Sequence, residues 1–143
     1  MQLKKRSVAA LAVCSLFVAG AAQAGPLIRV TVKNLGNVEA KYSVIGNNEA
    51  LTNANAQPKP EDTIKPQQSS SFEVRDQRNP AIATAVIRYS VDGKTCVFST
   101  FYSNPKIPKW TKDAQSSNGA RCTAAITSVS ASDHSWTTEF TIR

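Results

Sequence analysis

Residues Ala83 to Ser103 read ATAVIRYSV, then Asp92-Gly93, then KTCVFSTFYS. Two alternating apolar runs joined by Asp-Gly are a strong short-range hairpin signal, because a type I′ turn needs positive φ at both central residues. Ala83, Ala85, Ile87, Tyr89 and Val91 share one face of the first arm. Cys96, Phe98, Thr100 and Tyr102 share a face of the second, and Val97 and Phe101 take the other. Both faces are partly apolar, which makes this hairpin the expected central pair of a covered sheet, with Tyr89 and Phe98 buried.

The flanking segments continue the period of two. In Leu27 to Asn34, Ile28, Val30 and Val32 point one way and Arg29, Thr31 and Lys33 the other. Gly36-Asn37 turns the chain into Val38 to Ile45, where Val38, Ala40, Tyr42 and Val44 are expected inward. Residues 46–62 are rich in Asn, Ala and Pro and read as a surface loop, with a short helical turn at Glu49 to Asn53. Ile64 precedes Pro66, so a strand there is short or at an edge. Ser69 to Arg75 returns to strand with Phe72 and Val74 inward, and Asp76 to Pro80 turns.

After the hairpin, residues 104–119 look irregular. Ala120 to Ser130 reads as a strand with Cys122, Ala124, Ile126 and Ser128 on one face. Ala131 to His134 turns, and Ser135 to Ile142 places Trp136, Thr138, Phe140 and Ile142 inward. About seven short strands with frequent turns predict an all-β fold, a single-domain antiparallel β-sandwich, with a small barrel as the alternative.

Residues 1–24 have the order of a secretory signal peptide. Lys4, Lys5 and Arg6 precede an apolar run from Val8 to Ala19, and Ala22-Gln23-Ala24 supplies a small-x-small cleavage site. The run is shorter than the roughly 20 residues a membrane span needs, and Val13 stands where a lipoprotein site at Cys14 would want a small residue. The expected product is an exported domain of residues 25–143, periplasmic or extracellular. Removing three basic residues lowers the net charge from +7 to +4. That mild excess favours anionic surfaces without implying nucleic acid, for which no basic and aromatic module is present.

Cleavage leaves Cys96 and Cys122, which in an exported chain read as one disulfide. Neither a Cys-x-x-Cys spacing nor a nearby His favours a metal or redox pair. His134 is the only histidine. Asp133 beside it would point to the opposite side of an extended backbone, and no Gly-x-Ser-x-Gly elbow exists, so the chain does not read as an enzyme. No cofactor or metal is implied: the EF-hand spacing is absent, and the carboxylates Glu61, Asp62 and Asp76 read as solvated loop charges.

One constellation suggests binding. Tyr102, Pro105, Ile107 and Trp110 interleave with Lys106, Lys109 and Lys112. Trp and Tyr suit a membrane–water interface, since each has an apolar body and a polar tip, and lysines add attraction to anionic head groups. The other reading makes Trp110 a lid folded back on the sandwich end. The expected binding residues are Tyr102, Lys106, Lys109, Trp110 and Lys112.

The order of Thr63-Ile64-Lys65-Pro66, Ser71-Phe72-Glu73-Val74, Ala85-Val86-Ile87-Arg88-Tyr89, Val97-Phe98-Ser99 and Asn104-Pro105 resembles small secreted β-sandwich cytolysins and lipid-binding proteins of the aegerolysin and actinoporin-like kind. Gln67 departs from it where Gly is usual, and the cysteine pair is not part of it. The resemblance implies a β-sandwich that recognises lipid head groups or glycans. Two other classes stand beside it. One is a periplasmic inhibitor or adaptor that binds another protein, for which a charge of +4 disfavours basic targets. The other is a surface-structure subunit, although no long extension precedes Leu27 to act as a donor strand. Oligomeric state is not legible at this level.

Overall fold

The computed structural model describes residues 24–143. Residues 1–23 of the expected leader, Cys14 among them, lie outside the described residues. In chain order the elements are β1 (Ile28–Asn34), β2 (Ala40–Ser43), α1 (Asn47–Asn55), β3 (Ala56–Gln57), β4 (Thr63–Ile64), β5 (Ser69–Val74), β6 (Ile82–Val91), β7 (Lys94–Ser103), β8 (Lys109–Ser117), β9 (Cys122–Val129) and β10 (Trp136–Ile142). They form two five-stranded sheets, in the orders β3-β5-β1-β10-β9 and β4-β2-β6-β7-β8. The sandwich is as expected, with ten strands rather than about seven.

The hairpin forms as its turn chemistry dictates. Asp92 and Gly93 have φ of 48° and 73°, the left-handed pair that a type I′ turn requires and that Gly adopts without cost. β6 and β7 then pair without interruption from Ile82↔Ser103 to Val91↔Lys94. Ala83, Ala85, Ile87, Tyr89, Val91, Cys96, Phe98, Thr100 and Tyr102 all turn inward and are buried. They pack against Ile28, Val30 and Val32 of β1 and Trp136, Phe140 and Ile142 of β10. β1 and β10 run parallel, Ile28↔Trp136 through Asn34↔Ile142, within an otherwise antiparallel architecture. Two strands from opposite ends of the described chain meet there, so no hairpin can join them.

Three ties cross between the sheets. Cys96 on β7 is disulfide-bonded to Cys122 on β9. The Trp136 indole N–H donates to Thr100 Oγ1 at 2.8 Å, and that hydroxyl donates to the Thr111 carbonyl. Asn34, fully buried, donates to the carbonyls of Val38 and Ile64 and accepts from the Gly36 N–H. Trp136, Thr100 and Asn34 thereby keep partners that water would otherwise supply.

Several expectations need correction. Residues 46–62 are not mainly loop: α1 occupies Asn47–Asn55 and β3 follows it. Nine residues, six of them polar, make a marginal helix alone, and tertiary contacts supply what the sequence lacks. Glu49 is almost wholly buried; it accepts from the Ile45 and Gly46 N–H groups at the helix start and pairs with Arg88 of β6 at 2.8 Å. Thr52 Oγ1 accepts the Val86 N–H, capping β6 where β2 has already ended. β2 is only four residues long, so Val38 and Val44, expected inward, are exposed. On β9 a register irregularity between Thr137 and Thr138 of its partner shifts Ser128 out of the inward face of Cys122, Ala124 and Ile126. The short edge strand expected at Ile64 is β4, at the end of its sheet.

Phe98 is fully buried and stacked on Phe140 with ring centroids 4.8 Å apart. Phe98→Ala is expected to cost about 3–5 kcal/mol through the cavity it leaves, read from urea denaturation of the oxidised protein. A cost under about 1 kcal/mol would refute this packing. The Glu49 carboxyl supplies a pH test. Burial alone would raise its pKa, but the Arg88 hydrogen bond and the Ile45 and Gly46 amides outweigh it and hold the group below the usual carboxylate range. Its contribution is therefore complete above the ordinary Glu value, about 4.3, and is lost as pH falls through the lowered folded value. Glu49→Gln should flatten that acid limb and cost about 2–4 kcal/mol at pH 7, since Arg88 loses its charged partner. An unchanged acid profile would refute the role.

Candidate functional site

At one end of the sandwich β6 begins, β7 ends and β8 begins, joined by residues 104–108. The expected irregular stretch 104–119 is mostly strand: β8 pairs with β7 from Thr95↔Ser117 to Ser103↔Lys109. Its period of two is hard to read because β8 is an edge strand. Only Trp110 and Ala114 on its inner face are apolar, and both are half-buried.

Strand register sorts the expected binding residues. Tyr102 faces inward opposite Trp110 and is fully buried, so it supports the surface from beneath. Trp110 lies over it with centroids 5.3 Å apart, and its indole N–H donates to the His134 carbonyl at 3.2 Å. Lys112 shares Trp110's face, opposite Thr100. Lys109 takes the outer face, opposite Ser103. Lys106 is exposed in the connecting loop. The structure thus separates three lysines that the sequence placed together. None of them takes part in an ion pair among the described residues.

The outer face at this end adds apolar residues beyond the five expected to bind. Ile82 lies opposite Ser103, and Phe101 lies between Thr84 and Thr111. Ile82 is 43% exposed, Phe101 38% and Ile107, between Pro105-Lys106 and Pro108-Lys109, 77%. Ala81, Ile82, Ser103, Asn104 and Pro105 line a shallow hollow. Phe101 and Ile82 were readable from the hairpin register, because residues out of phase with Tyr102 and Ala83 must face away from the core. Together these residues make an apolar tip and shoulder bordered by Lys106 and Lys109.

The histidine turn is built for shape. His134 sits at φ 59° and stacks on Tyr102 with centroids 5.2 Å apart. Asp133 Oδ1 accepts from the Ser135 N–H and hydroxyl instead. Hydrogen bonds from Ser130 and Ser135 hold the Asp133 carboxyl down to about 2. Acid and imidazole face different neighbours, so the turn offers no oriented catalytic pair. Among the described residues no group of three or more His, Cys, Asp or Glu could hold a metal ion, and no helix is long and apolar enough to cross a membrane.

Trp110→Ala removes a half-buried ring and its hydrogen bond. It is expected to cost about 1–3 kcal/mol, measured by thermal denaturation. An unchanged melting temperature would mean that the indole does not close the sandwich end.

No family model matches the sequence, and no curated protein matches it. Among solved structures, the chain is similar to the lipid-binding protein Nakanori, with a TM-score of 0.54 and 10% identity over 82% of this chain and 71% of that one. At that identity the likeness is one of fold, and it meets the expected resemblance at that level.

Proposed function

We propose that this chain is an exported, non-enzymatic binding protein that docks on anionic lipid surfaces through the sandwich end built by residues 104–110. The observation that carries this reading is Ile107, an aliphatic side chain 77% exposed at a loop tip with Lys106 and Lys109 beside it. Apolar knobs bordered by free ammonium groups suit an interface where hydrocarbon lies beneath negative head groups. Phe101 and Ile82 extend the apolar surface on the Lys109 side, and Trp110 stiffens the strand start behind it. Lys112, one face over, contributes long-range attraction. The disulfide fits an oxidising compartment, and the likeness to a lipid-binding protein's fold is consistent with this role.

The test is cosedimentation with vesicles of phosphatidylcholine alone or with phosphatidylglycerol, beside a glycan array. Binding should require the anionic lipid and weaken as salt rises, because screening shortens to about 8 Å at physiological ionic strength. Replacing Lys106, Lys109 and Lys112 by Ser should weaken binding by about 2–3 kcal/mol, roughly 30- to 150-fold. Ile107→Ser should cost up to about 2 kcal/mol with an unchanged melting temperature. Equal binding to neutral vesicles, or none to vesicles with binding to a glycan, would overturn the reading.

A further inference from the structure

The two sheets have four edges among the described residues, and three are guarded. β3 and β4 are two residues each, and prolines follow them at Pro58 and Pro66. β8 is long but carries Lys109, Lys112 and Asp113. Short length, proline and charge are the usual defences of an unpaired edge. β9 has eight residues, CTAAITSV, with no charge and no proline. Within the strand its one irregularity lies opposite Thr137 and Thr138, which leaves Cys122 to Ile126 in regular register with β10, and β8 lies beside it without pairing to it.

The core is also incompletely closed on this side. The partly buried apolar residues packed on it are Tyr42, Trp110, Ala114, Cys122, Ala124 and Ile126. All but Tyr42 lie on β8 and β9, which are in contact at the side of the sandwich. An unguarded edge and an open seam thus coincide.

We propose that β9 pairs antiparallel with β9 of a second copy, joining two five-stranded sheets into one of ten strands. The sequence of β9 suits its own copy. The regular segment Cys122 to Ile126 is centred on Ala124, which places this small residue on the two-fold axis. Thr123 then faces the copy's Ala125, and Ile126 lies at the position of the disulfide-bonded Cys122. No like charges meet, although the 25–143 chain carries +4. An isologous contact needs only this one patch. The same pairing through β8, centred on Asp113, would set that carboxylate against its own copy.

The experiment is sedimentation velocity on the oxidised 25–143 protein across a concentration series, with amide hydrogen exchange at each end of the series. A concentration-dependent dimer is expected, with exchange at Thr123 to Ile126 slowing as the dimer forms. A double variant, Thr123→Lys with Ala125→Lys, places charges only on exposed positions and should weaken dimerisation at least tenfold while the melting temperature of the dilute monomer stays unchanged. Thr63→Lys, on the β4 edge, should leave the dimer intact. A protein monomeric at 100 micromolar, or a dimer indifferent to the β9 variant, would overturn the proposal. If the double variant fails to fold, hydrogen exchange on the native chain decides: protection that does not rise with concentration in β9 overturns it.

Discussion

Two ribbons face each other, and the remaining structure hangs on their contact. The β6–β7 hairpin presents Ile87, Tyr89, Phe98 and Tyr102; β1 and β10 present Val30, Val32, Trp136 and Phe140. Each large apolar side chain buried there contributes about 1.5–3 kcal/mol relative to exposure. The antiparallel β6–β7 ribbon buries one face and leaves the other outward, so a single layer of side chains fixes which way every neighbouring strand must face. The cross-sheet ties act after that choice. The Cys96–Cys122 bond, the Trp136–Thr100 hydrogen bond and Asn34 reaching Ile64 hold the two layers at separate places.

The layer also shapes the surface that we connect with binding. Tyr102 must lie inside, because it shares a face with Phe98 and Thr100. Trp110, opposite it, is therefore drawn over the same end, and Phe101 is forced outward. The exposed apolar shoulder is thus a geometric consequence of the buried one. Lys109 and Lys112, three apart on a strand, are sent to opposite faces by the same period, which limits how many charges can meet a flat surface at once. The loop lysine, Lys106, is free of that constraint.

α1 answers a different physical need. β2 pairs with β6 only at Ser90, Tyr89 and Arg88, so the earlier part of β6 would present unpaired backbone to solvent. Thr52 takes the Val86 N–H, and Glu49 binds Arg88 on the outer face. A nine-residue helix with little apolar character therefore holds its place by polar contacts. Such contacts are strong only because every partner is present; removing either member strands a charge in a poorly solvated site. Elsewhere a small gap sufficed: Gly25 donates its N–H to the Asp76 carbonyl, and a Cβ there would lie 2.7 Å from the Asn79 carbonyl.

Much of the fold was determined locally. Asp92-Gly93 requires positive φ at two adjacent residues, and the alternation around it requires one buried face, so the hairpin, its register and the burial of Tyr89 and Phe98 follow from the sequence alone. The same holds for β1, β5, β10 and the pairing of Cys96 with Cys122. What the tertiary structure decided lies where the local signal is weak. β8 is a strand because β7 offers it hydrogen-bond partners; its inner face is only partly covered and carries just Trp110 and Ala114 as apolar residues, so no sustained alternation announces it. α1 is a helix because Arg88 and Val86 reward it, and both are distant in sequence. The parallel meeting of β1 and β10, and the side of the sheet on which each lysine falls, depend on long-range pairing that no window of neighbouring residues encodes.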